Sequence, residues 1–114
     1  MTEEFESIVA GLQRHQGVLG VMVVGMEDGM VIAGDAGEGR DSDTAAALAA
    51  SLFRRTKAAS NEAGLGDATF VRLEADGGHV CAAAKGEIAI VTVARKGINL
   101  GKLRLEMLSA TELL

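Results

Sequence analysis

The chain has 114 residues, 48% apolar and 24% charged, the balance of one globular domain with one core and not of a disordered segment. Its net charge of −5, with no basic block to offset it, disfavours nucleic acid and anionic membranes as partners, and no apolar run is long enough to insert across a bilayer. Only 3% of residues are aromatic, so the core has to come from Val, Leu, Ile, Ala and Met, and the lone Cys81 has no intramolecular partner, which points to a reducing cytoplasm. In chain order, Phe5, Ile8, Val9 and Leu12 recur at helical spacing behind Thr2 as a candidate cap, and the acidic start lacks the basic and long apolar regions of a signal peptide. Val18 to Met26 is apolar apart from two glycines, as a central strand covered on both faces requires, and Glu27-Asp28-Gly29 turns it back into Met30–Ala33.

The charged, Gly-rich run "GDAGEGRDSD" is a loop, in which Asp41, Ser42 or Asp43 caps a helix from about Thr44 to Ala63. Gly64 stops that helix, and Leu65 is placed for the apolar contact of a glycine cap. Strands follow at Ala68–Ala75, His79–Ala84 and Ile88–Ala94, joined by turns at Asp76-Gly77-Gly78 and Lys85-Gly86-Glu87. Leu100, Leu103, Met107, Ala110 and Leu114 give a last helix behind Asn99. The short turns predict a mostly antiparallel five-stranded sheet in an α+β chain ordered α-β-β-α-β-β-β-α.

The middle helix carries two apolar stripes. Ala46, Ala50 and Phe53 suit a sheet, while Ala45, Ala49, Leu52, Thr56 and Ala59 form a second, small-residue stripe that lets another helix approach closely. Alanine's helix propensity alone accounts for part of this pattern, but a stripe on a second side calls for a second partner, and the same helix of another copy supplies one by two-fold symmetry. Phe70 shares its strand face with Arg72 and Glu74. Two placements fit it: packing under the chain's own helix, or an edge strand that pairs with its own copy, with Arg72 and Glu74 complementary across the axis.

The residues offer little chemistry. The Gly-rich loop lacks GxxxxGK[ST] and carries Asp35, Glu38, Asp41 and Asp43 where an anion would sit, so it is not expected to hold phosphate. Cys81 sits mid-strand, and with His15 and His79 it makes neither a nucleophile pair nor a metal-ligand spacing. No catalytic residue, metal site or cofactor is therefore expected, and the protein is not read as an enzyme.

Three segments together, "GVLGVMVVGMEDGMVIA", the Ala-rich "TAAALAASLFRRTKAASNEAGLG" and "INLGKLRLEM", resemble the Roadblock family of dynein light chains and MglB-type proteins, over about Phe5 to Leu113. The resemblance implies a single Roadblock domain over 1–114, with the middle helix on one face of the sheet and the other two helices on the opposite face. It further implies a homodimer through the middle helix and third strand, and a role in binding Ras-like small GTPases or as an adaptor in motor and signalling complexes. Arg54, Arg55 and Lys57 are then expected as a basic docking strip on the middle helix, their mid-helix position being unsuited to an arginine finger. With no extension past Leu114, activities carried by tails of longer relatives are not expected. A small-molecule sensor is the remaining alternative, and it would need a pocket with convergent polar groups.

Overall fold

The structure, a computed structural model, describes residues 2–114, with side chains from residue 3 onward; the expected cap by the Thr2 side chain lies outside the described residues. The elements are α1 (Thr2–Gln13), β1 (Val18–Gly25), β2 (Val31–Asp35), α2 (Ser42–Glu62), β3 (Phe70–Ala75), β4 (Gly78–Lys85), β5 (Ile88–Arg95) and α3 (Leu100–Thr111). Their types and order are those read from the sequence. Boundaries differ locally: β2 begins and ends later than Met30–Ala33 because Val21 pairs with Asp35 and Met22 with Gly34, and β3 begins at Phe70 where its pairing with Ala83 starts.

All pairings are antiparallel, in the order β2-β1-β5-β4-β3. The alternation of side chains across a strand divides the apolar residues between two cores. Val21 and Val23 of β1 face α1 and α3 with Ile90, Cys81 and Leu103, whereas Met22 and Val24 face α2 with Val91, Ala50 and Phe53. The sheet thus has two helices on one face and one on the other. β1 is buried on both sides, which explains a strand with no polar residue.

Gly20 is required by a close approach: a Cβ there would lie 2.2 Å from the carbonyl carbon of Ala36, in the loop that leaves β2. That loop consumes its own polar groups. Asp35 Oδ1 accepts from the Gly37 amide at 2.8 Å, and Ser42 Oγ accepts from the Ala36 amide at 2.8 Å. Asp41 accepts from the Thr44 amide at 3.1 Å and from its hydroxyl at 2.9 Å, and these bonds, the backbone one first, hold its carboxyl below the usual carboxylate range.

At the other end of α2 the Leu65 amide donates to Ser60 O and the Gly64 amide to Asn61 O, with Gly64 at φ +77, the bonding of a Schellman cap. Leu65 does not make the apolar contact expected of it, since it is 81% exposed. Asn99 Oδ1 accepts from the Lys102 amide at 3.1 Å and so caps α3.

Cys81 is fully buried, and burial pushes its thiol up from the ordinary value, partly offset by the Thr92 hydroxyl and the Arg72 charge. Above about pH 8.5, where an unfolded thiol ionises, the unfolded chain loses a proton that the folded chain keeps. Stability therefore falls as pH rises through that window. We expect a thiol reagent at pH 8 to label Cys81 far more slowly in the native protein than in urea; equal rates would show that this strand is open to solvent.

Candidate functional site

Helix α2 lies on its face of the sheet through Ala46, Ala50 and Phe53, all buried against Met22, Val24 and Val91. Beside it an apolar groove of about 340 Å³ stays open. One wall is Ala45, Leu48, Ala49 and Leu52 of α2; the other is Leu73 of β3, Val80 of β4, and Val91 and Val93 of β5. Leu48 is 66% exposed and Leu73 41% exposed, so two large apolar side chains meet water at the rim. Among the described residues no buried side-chain nitrogen or oxygen lacks a hydrogen-bond partner, so no stranded polar group points into this groove.

Three of the small-stripe residues, Ala45, Ala49 and Leu52, line the groove. Thr56 is half-buried with its hydroxyl donating back to Leu52 O at 2.9 Å, and Ala59 is exposed farther along the same side. Leu48, Leu73, Val80 and Val93 were missed in the sequence. Leu48 stands four residues before Leu52, but following small residues passes over it. Leu73 alternates with Arg72 and Glu74 along β3, which puts it on the α2 face.

Within the single chain Phe70 packs as the first of its two expected placements has it, and the β3 edge that the second would use stays open. The ring packs under its own chain's α3 face, half-buried, with the Arg104 guanidinium 5.7 Å from the ring centroid. Arg72 and Glu74 are paired within their own strand, Nη1 to Oε1 at 2.8 Å, and Arg72 Nη1 also lies 3.4 Å from His79 Nδ1. The hydrogen bond and then the charge of Arg72 hold the Glu74 carboxyl below its usual value.

Arg54, Arg55 and Lys57 do not form one strip. Arg54 Nη1 donates to Met26 O at 2.5 Å and lies 3.4 Å from Glu27 O, so it ties α2 to the β1–β2 turn. Lys57 Nζ is 3.7 Å from Asp67 Oδ2 in the loop after α2. Arg55 is exposed, and its spacing from Leu52 and Ala59 puts it on the groove side of the helix. Residues 54 and 55 are about 100° apart around a helix, so neighbours in sequence serve different sides.

Among the described residues, no three or more His, Cys, Asp or Glu side chains gather where they could hold a metal ion, and no helix is long and apolar enough to cross a membrane. What remains is a protein surface of apolar residues beside an edge strand. The Roadblock/LC7 domain profile matches residues 4–94. The chain belongs to the Roadblock/LC7 family. It is 31% identical over 107 residues to the uncharacterized protein MJ0714 of Methanocaldococcus jannaschii, covering 94% of this chain and 90% of that one. The gliding protein MglB of Thermus thermophilus superposes with a TM-score of 0.87 at 21% identity, over 99% of this chain and 87% of that one. A Roadblock/LC7 domain from Streptomyces avermitilis superposes at 0.84 and 21% identity, over 94% and 91%. These likenesses to solved structures establish that the sheet and its three helices form a Roadblock fold.

Within this Roadblock fold Arg54 acts as a structural tie. Arg54→Ala should lower the unfolding free energy by about 1 kcal/mol, read from urea denaturation, because two turn carbonyls lose their charged donor. An unchanged midpoint would show that the tie carries no stability.

Proposed function

We propose that this chain is a homodimeric Roadblock module that binds a Ras-like small GTPase and shifts its nucleotide cycle by preferring one state, without contributing a catalytic group. The observation that carries the dimer is the open apolar groove beside the edge strand β3. A second α2, packed antiparallel across a two-fold axis, would bury Leu48, Leu52 and Leu73, while β3 pairs with its own copy. Arg72 and Glu74, paired in cis, would re-form the same ion pair across the axis without a new charge to desolvate.

Support for the GTPase role comes from membership of the Roadblock family and from the Roadblock resemblance seen in the sequence. A regulator that inserts no residue acts only through differential affinity for the two nucleotide states. Of the three mid-helix basic side chains, Arg54 holds a turn carbonyl and Lys57 lies near Asp67, which singles out Arg55, exposed on the groove side, as the first docking contact on α2.

Two measurements check this reading. Sedimentation at micromolar concentration should give a self-associated species. Leu48→Glu, a change at an exposed position that leaves the fold intact, should break the α2 contact and halve the mass. A monomeric unmodified chain, or a mass indifferent to Leu48→Glu, defeats the α2 dimer.

For the partner, the Ras-like GTPases of the same genome are loaded with GDP or with a non-hydrolysable GTP analogue and titrated with the full chain. We expect roughly tenfold tighter binding to the GTP form, about 1.4 kcal/mol. Arg55→Ala should weaken binding by about 1 kcal/mol while hydrolysis at saturation is unchanged. A loss on the order of 10³-fold at saturation would make Arg55 a finger, and equal binding to both states would leave an adaptor.

A further inference from the structure

On the face opposite α2, α1 and α3 run antiparallel, with Glu3 and Glu4 beside Leu113 at one end and His15 Nδ1 2.7 Å from Glu106 Oε2 toward the other. A second apolar groove, of about 460 Å³, lies between them. Its α1 wall is low: Ser7 and Gly11 form it, and a Cβ built on Gly11 would meet no atom within 4 Å. Its α3 wall is high, because Leu105 and Leu113 are 65% and 60% exposed.

The charges along the groove sort by end. Glu3 and Glu4 stand at the Leu113 end. At the far end stand Arg14, just past α1, Lys102, one turn before Glu106 on α3, and Arg95, whose amide donates to Gly17 O at 2.8 Å. Ten residues separate Glu4 from Arg14, about 15 Å or three turns along the helix axis. Glu6 is exposed too, but residues 7, 8, 11 and 12 line the groove, and Glu6 lies about 170° round α1 from the middle of that stripe. Glu106 is held by His15, Glu112 lies 3.8 Å from Lys85, and Arg104 lies over Phe70.

A two-fold pair of copies cannot match both features of this groove. The rotation that sets acidic ends on basic ends lays α1 on α1 and α3 on α3, ridge against ridge and hollow against hollow, and the rotation that sets ridge in hollow stacks like charges. A single foreign helix matches both. We infer that the α1/α3 groove docks an amphipathic helix of a different protein, about three turns long, acidic in its first turn and basic in its last. Its N-terminus lies at the Arg14–Lys102 end, antiparallel to α1, and charges so placed also stabilise the docked helix through its own dipole. One apolar side chain enters the Ser7–Gly11 hollow, while others lie along Leu105 and Leu113. This face is across the sheet from the α2 groove, so occupancy of one does not require the other.

The probe is a synthetic peptide of about 14 residues, with Glu in the first turn, Leu every three to four residues and Arg in the last turn, titrated calorimetrically into the full chain. Its control is an isomer of the same composition with Glu and Arg exchanged. The first should bind about tenfold tighter than the second. Gly11→Leu fills the hollow at a position where nothing opposes it and where Leu favours the helix, so it should weaken binding about tenfold while circular dichroism shows an intact fold. Glu3→Lys, Glu4→Lys, Arg14→Glu and Lys102→Glu together should reverse the preference between the two peptides, which residues acting only on the fold would not do. Leu48→Glu should leave that preference unchanged. Absent or equal binding of the two peptides, an affinity unmoved by Gly11→Leu, or a loss caused by Leu48→Glu, which would put the peptide in the α2 groove, overturns the inference. So does sedimentation in which Gly11→Leu lowers the mass of the chain, since the occupant would then be a second copy.

Discussion

The width of the sheet against the width of a helix governs this molecule. Five strands spaced about 4.8 Å apart span about 19 Å between the outer strands, while a helix with its side chains covers about 10–12 Å. Two helices therefore cover one face, and α1 with α3 do so over the core around Val21, Ile90 and Leu103. One helix does not. On the other face α2 buries Met22, Val24 and Val91, and what it leaves is a strip over β3, β4 and β5 where Leu73, Val80 and Val93 line an open groove. Burial of that strip is worth about 25 cal/mol per Å² of apolar area to whatever covers it.

Much of the architecture was legible because each piece has a local cause. The continuous apolar run of β1 announces a strand covered on two sides, and the Asp-Gly, Gly-Gly and Lys-Gly turns set antiparallel neighbours. Asp41 and Asn99 mark helix starts because their short side chains reach an amide three residues on. The groove was legible by half. Its α2 wall is periodic within one helix, whereas its other wall is assembled from Leu73, Val80 and Val93 on three strands, and only the strand order brings those together. Phe70 was ambiguous for a related reason: alternation fixes which residues share a face, not which face the third helix covers. The tie made by Arg54 was not legible because its partners are backbone carbonyls of a turn far away in sequence, and carbonyls leave no trace in a residue pattern.

The Gly-rich loop shows how a motif-like run can be spent on structure. Asp35, Asp41 and Ser42 each accept from a nearby amide, so the carboxylates and hydroxyl that suggest a ligand loop instead close the path from β2 into α2. Its close pass over Gly20 fixes it against β1. A loop whose polar groups are satisfied internally, and which is negatively charged, has little to offer a phosphate.

Two open features border each other at β3: the unpaired edge of the strand, and the groove next to Leu73. A helix from another protein would fill the groove and leave the edge exposed, and an added strand alone would satisfy the edge and leave Leu48 and Leu73 in water. A second copy related by a two-fold axis supplies a strand and a helix together, in the positions where this chain lacks them. The edge pair Arg72–Glu74 fits that arrangement, since two opposite charges on one strand are self-complementary when the strand meets its antiparallel copy. In such a dimer the two α2 helices lie side by side over one continuous sheet. Arg55, on the groove side of each, would then lie near the seam between them, where a partner docking on the pair would meet both copies at once.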